Sequence, residues 1–222
     1  MITQVDKAIE VLASKMAEYK KLDPSERHIF LFWILTQAIT LLGADRPILV
    51  GGGAVEFYTG VRFATGDLDI VAPDVDSCAQ VLASLGFQRP ESSRHFVSRS
   101  LGALVDVHGA RLVPSETTVD LVYRKVPLQL VGPEDCIAER LASYRRHGSS
   151  LDLLNAFLIA YHNKERLDID HLQTRIGTLD LWEQYRAIQD ISRELVCHHS
   201  GVDEAASELI HFMKKGPKPC AF

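Results

Sequence analysis

Ile29 to Gly43 (IFLFWILTQAITLLG) is the longest apolar stretch of the chain, broken only by Thr36, Gln37 and Thr40. Spanning a bilayer takes about 20 such residues, so the stretch predicts a buried core helix and not a membrane span. Its start is signalled by Asp23 as N-cap, Pro24 at the first helical position and Glu26 in the capping-box position, giving a helix over 24–43. The preceding segment is charged and amphipathic, and predicts a helix over 5–21. Short apolar runs then alternate with turn residues. Strands are expected near 47–51 and 67–72, with a short helix at 53–59 between them. Pro73-Asp74 opens a helix at 75–85, which Gly86 ends. Further strands follow at 96–98, 103–107, 118–123 and 126–130. From Pro133 onward the period becomes helical, with helices near 133–146, 149–163, 168–176 and 178–196.

This order predicts an α/β (α+β) protein with a mixed sheet and flanking helices. Three regions are expected: N-terminal helices packed on the core over 1–45, the core over 46–131, and a helical region over 132–222. The 222 residues are 46% hydrophobic, enough for a substantial core. A net charge of -5 excludes a global basic field of the kind that draws sequence-blind nucleic-acid binders, though it leaves a local basic groove open. Cys78, Cys136, Cys197 and Cys220 are scattered without a CxxC pair, which reads as reduced thiols. With no signal-peptide core at the N-terminus, a cytoplasmic location is expected. Cys197-His198-His199, with His211 nearby, has poor metal-ligand spacing and reads as a solvated helix end.

The chemistry concentrates between Ile48 and Pro73 (ILVGGGAVEFYTGVRFATGDLDIVAP). Asp67 and Asp69 are one residue apart on an expected strand, so their carboxylates share a face. No base lies between them to relieve the repulsion, and a hard cation with oxygen ligands, Mg²⁺ above all, fits there. Gly51, Gly52 and Gly53 follow a strand and open a helix, where backbone N–H groups form a phosphate cradle. The same glycines also suit a tight turn with close helix packing.

The ordered set of a glycine run, a short helix and Asp-x-Asp on the next strand resembles the DNA polymerase β-like nucleotidyltransferase superfamily. The resemblance implies a third acid alone on a later strand. Asp106 in Ala103-Leu104-Val105-Asp106-Val107-His108 matches it, with Asp120 as the rival. Where the family has Ser before the first acid, this chain has Thr65-Gly66-Asp67. Downstream, Gly132 to Tyr144 resembles the helix after the core in small prokaryotic members of the AbiEii toxin type. Arg140 and Asp152 are the matching polar positions, while the toxin-type Lys is absent. The likeness runs from about Ile48 to Leu172.

What the resemblance implies is a nucleotidyltransferase-type mixed sheet and transfer of a nucleoside monophosphate from a nucleoside triphosphate, ATP among them. The cofactor would be Mg²⁺ or Mn²⁺, held by Asp67, Asp69 and Asp106. Gly51, Gly52, Gly53, Thr65 and Gly66 would line the nucleotide, with Arg62 and Arg140 reaching its phosphates. The acceptor is expected to be RNA, a tRNA end as in the toxin-like relatives, with an antitoxin protein as a partner. A small polar hydroxyl acceptor of the aminoglycoside kind is the alternative, since an acidic chain suits a polycation. A non-catalytic nucleotide-binding module is the third reading.

Overall fold

A computed structural model describes residues 4–60, 66–90 and 93–198, with the side chains of Gln4, Ser25 and 194–198 left aside. The described chain divides into two compact units on either side of the Gly132–Pro133 peptide.

The first unit is a mixed six-stranded sheet with helices. Its helices are α1 (Gln4–Ser14), α2 (Met16–Tyr19), α3 (Pro24–Leu41), α4 (Gly51–Thr59) and α5 (Val75–Ser84). Its strands are β1 (Ile48–Leu49), β2 (Leu68–Val71), β3 (His95–Ser98), β4 (Ala103–Val107), β5 (Thr118–Tyr123) and β6 (Val126–Val131). They lie in the order β3-β4-β2-β1-β6-β5. β1 runs antiparallel to β2 and parallel to β6, while β2 runs parallel to β4. The two edge strands, β3 and β5, close antiparallel hairpins.

Helix α3 is the core of this unit. Phe30, Leu31, Phe32, Ile34, Leu35 and Ala38 are fully buried, as the apolar run requires. Asp74 caps α5 through the Ser77 N–H at 2.9 Å, and Gly86 follows in the left-handed conformation. The expected helix over 5–21 is instead two pieces that meet at Lys15. The strand expected over 47–51 is only two residues long, because Gly51 already begins α4.

The second unit contains α6 (Pro133–His147), α7 (Ser150–Asn163), α8 (Ile169–Thr178) and α9 (Trp182–His198). Its core is Ile137, Leu141, Leu154, Phe157, Leu158, Leu172 and Ile176. Among the described residues no helix is long and apolar enough to cross a membrane.

Candidate functional site

The site grows from three strand ends and one helix start. Asp69 lies on β2 and stands opposite Asp106 on the parallel neighbour β4. That register places two carboxylates side by side. Asp67 precedes β2 in a bend and is not a strand residue, so the shared face expected from period two holds for Asp69 alone. It still lies in the same field. Burial raises the Asp67 pKa above the ordinary carboxylate range, and the charges of Asp69 and Asp106 raise it further.

His108 completes a compact group that the sequence reading had not assembled. Its Nε2 is 2.8 Å from Asp69 Oδ1 and 3.5 Å from Asp106 Oδ2. One ligand atom from each of Asp69, Asp106 and His108 lies within 4.8 Å of the others. The hydrogen bond to Asp69 is the main cause holding the His108 pKa above the usual imidazole range. A contact of 2.8 Å to a carboxylate also requires the proton on Nε2, since two lone pairs would repel there.

Asp106 is 3% exposed, and its neighbours are basic. Arg94 Nε is 3.0 Å and His95 Nδ1 3.4 Å from Oδ1. Distance and alignment disagree here. The guanidinium is near enough to offset the charge, yet Oδ1 accepts no aligned hydrogen bond. Arg94 thus meets Oδ1, while Oδ2 is the oxygen that faces His108. Two facing carboxylates, the His108 ring nitrogen beside them and a third acid in their field form a donor set that fits a divalent metal ion.

The glycines divide into separate roles. Gly51 has φ +53, and a Cβ there would land on the Asp69 carboxylate. Only glycine tolerates both the backbone and the approach. The Gly52 N–H donates to Asp69 Oδ2 at 2.9 Å, so this amide orients the acid at the start of α4. A Cβ on Gly53 would meet Leu49 Cδ1 at 2.7 Å, which is the close helix–strand packing. Gly66 is exposed, with open space around it. Arg62 and Thr65 lie outside the described residues, as does His199 of the Cys-His-His cluster.

Asp120 sits on β5, the opposite edge of the sheet, paired with Arg46 at 3.2 Å and more than half exposed. Arg140 lies in the second unit, where it pairs with Asp152 at 3.0 Å and with Glu139. Cys78 and Cys136 are free and buried, and burial pushes both thiols up to about 12.

Arg94, His95 and His108 are the site residues that sequence reasoning missed. Signals for two of them were present. His108 is two residues from Asp106, so the period-two rule already puts them on one face. The β3–β4 hairpin register sets His95 opposite Asp106, countable from the turn that joins Ser98 to Ala103. Arg94 gave no signal, because a side chain more than half exposed has no pattern to betray it.

This architecture is similar to the crystal structure of an antigenic nucleotidyltransferase-like protein from Paracoccidioides brasiliensis. The match has a TM-score of 0.50 and 19% identity, covering 72% of this chain and 90% of that one. The chain thus has a nucleotidyltransferase-like fold. No family model matches the sequence, and no curated protein does.

Proposed function

We propose that the protein is a divalent-metal-dependent nucleotidyltransferase that moves a nucleoside monophosphate from a nucleoside triphosphate to an acceptor hydroxyl. The observation carrying this reading is the side-by-side register of Asp69 and Asp106 at the mouth of a glycine-opened helix. Asp67, Asp69 and Asp106 are assigned to Mg²⁺ or Mn²⁺. When held there, a divalent cation would offset the triphosphate charge and would lower the pKa of the attacking hydroxyl. The chain's own work is positional. Gly52 N–H fixes Asp69, and β4 fixes Asp106 beside it. The acceptor oxygen bonds to the α-phosphorus as the bond to pyrophosphate breaks in line, and the Asp106 carboxylate takes the hydroxyl proton.

Gly51, Gly53, Thr65 and Gly66 are assigned to the nucleotide, and Arg62 to its phosphates. Arg94 joins Arg62 on its position beside Asp106. RNA, a tRNA end in particular, is the acceptor in this reading, with cytoplasmic location and an antitoxin partner as its corollaries. The net charge of -5 favours a cationic small molecule of the aminoglycoside kind as the second acceptor class. One experiment tests the transfer and its acceptor. The protein is incubated with each labelled nucleoside triphosphate and Mg²⁺ or Mn²⁺, together with cellular RNA or an aminoglycoside. Label on RNA supports the first reading and label on the aminoglycoside the second. If no nucleoside triphosphate binds in the presence of metal, enzyme and nucleotide site both fail.

A further inference from the structure

We infer that His108 is itself a metal ligand, so that the site is a mixed nitrogen–oxygen centre which prefers a first-row transition ion such as Mn²⁺ over Mg²⁺. The inference deepens the proposed reading, on which it rests for the presence of a divalent cation. Three observations carry it. The His108 ring nitrogen and one oxygen from each of Asp69 and Asp106 lie within 4.8 Å of one another. Nε2 is the ring atom that faces both acids, at 2.8 Å and 3.5 Å. Asp106, with a side chain 4% exposed, is shielded from bulk water, and it turns Oδ2 to the ring nitrogen while Oδ1 faces Arg94 and His95.

Ligand chemistry gives the selectivity. Carboxylates and water suit Mg²⁺ and Mn²⁺ alike, whereas imidazole favours transition ions. Mg²⁺ demands near-ideal octahedral oxygen coordination and gives up its waters reluctantly, so a ring nitrogen gains it little. Coordination needs the neutral ring protonated on Nδ1, and the Nε2 lone pair then faces the acids. The N–H that now meets Asp69 is given up when the cation takes its place. His108 remains about one third exposed, which leaves an approach from solvent.

The test uses the full chain without nucleotide, so that it is independent of transfer activity. Mn²⁺ and Mg²⁺ affinities are measured by calorimetry, and the Mn²⁺-loaded protein is examined by electron spin-echo spectroscopy for nitrogen coupling. Wild type should bind Mn²⁺ about tenfold or more tightly than Mg²⁺ and show a directly bound imidazole nitrogen. His108→Ala should lose that nitrogen signal and most of the discrimination, whereas His95→Ala should keep both. Mn²⁺ bound without nitrogen coupling in wild type overturns the inference and leaves the nucleotidyltransferase reading standing. So does a nitrogen signal that survives in His108→Ala or vanishes in His95→Ala. Binding of neither ion overturns the inference together with the metal site itself. The wild-type spectrum decides the matter even if a variant folds poorly.

Discussion

Each of the two units buries an aspartate beside an arginine and a histidine, and the two arrangements behave in opposite ways. In the second unit Asp135 is fully buried, Arg175 Nε lies 2.6 Å away with a side chain only 7% exposed, and His171 Nε2 is 3.1 Å away. Acid and base are sealed in together. In the first unit Asp106 is equally hidden, but Arg94 is 58% exposed and stands at the rim. A second carboxylate, Asp69, lies alongside, and Asp67 feels both. The lesson concerns where the compensating charge resides. A buried base is held in its ion pair, whereas a solvated one can swing aside and leave the carboxylate to an arriving cation.

The largest expected effect breaks the sealed pair. Asp135→Ala or Arg175→Ala should cost about 3–5 kcal/mol, because each removes one half of a buried ion pair. Asp106→Asn should stay within about 1 kcal/mol of wild type, since Arg94 keeps its water and like-charge repulsion falls. Urea denaturation of the three variants measures the contrast. Comparable losses for all three would make both clusters structural.

Next comes activity. Asp69→Asn should reduce nucleotide transfer by about 10²–10³, the scale of losing one group that stabilises transition-state charge. Its melting temperature in metal-free buffer should match or exceed that of wild type. A transfer rate within a few-fold of wild type removes Asp69 from the site.

Gly51→Ala sharpens the first cluster from its backbone side. Its methyl would displace the Asp69 carboxylate, and a non-glycine residue at φ +53 costs about 1 kcal/mol. Metal affinity should fall by about 10–100-fold, as when an orienting partner is lost. Calorimetry with Mn²⁺ reads this, and an unchanged affinity shows that Asp69 can move freely.

Two thiols report on opening of the units. Cys78 and Cys136 should resist alkylation in native protein at mildly alkaline pH, because both are buried and pushed up to about 12. Cys136 adjoins Asp135, so Asp135→Ala should speed its labelling while Asp106→Asn leaves it protected. Peptide mapping after brief iodoacetamide treatment distinguishes the sites.

The smallest effect is at Asp74. Hydrogen bonds from the Ser77 N–H and hydroxyl hold its carboxyl below the usual range. A folded pKa below the unfolded one contributes stability above the unfolded value, and that contribution fades as pH falls through the folded value. Asp74→Ala should therefore lower stability slightly at neutral pH and not at strongly acid pH. A denaturation series across the acid range checks the sign.

Local pattern made most of the fold legible. The apolar run from Ile29 predicts α3, Asp74 and Gly86 bracket α5, and the change of period at Pro133 marks the start of the helical unit. These are consequences of neighbouring residues alone. The apolar pattern also placed both strands of the β5–β6 hairpin, without a turn signal to help. The β5–β6 hairpin turns on Arg124 and Lys125, both with positive φ and neither the Asn-Gly that such a turn favours. Arg124 stacks over Phe30 and Trp33 and pairs with Glu18 at 3.0 Å, contacts that hold the turn from outside it.

The candidate site divides in the same way. By itself the sequence determined that Asp69 and Asp106 were unusual, because carboxylates are depleted from strands, and that Asp67 lies close to Asp69. It also determined that glycines open the helix beside them. Only the tertiary structure decided between Asp106 and Asp120 as the neighbour of Asp69. Both sit in similar local runs, and strand order is fixed by which strands pair across the whole sheet. Register likewise brought His108 and Arg94 to the acids, and took the Gly52 N–H for Asp69. Side-chain type is written locally, but the distance between two charges is set by packing. For that reason the chemistry could be suspected from the chain, while the grouping of Asp69, Asp106 and His108 had to be built by the fold.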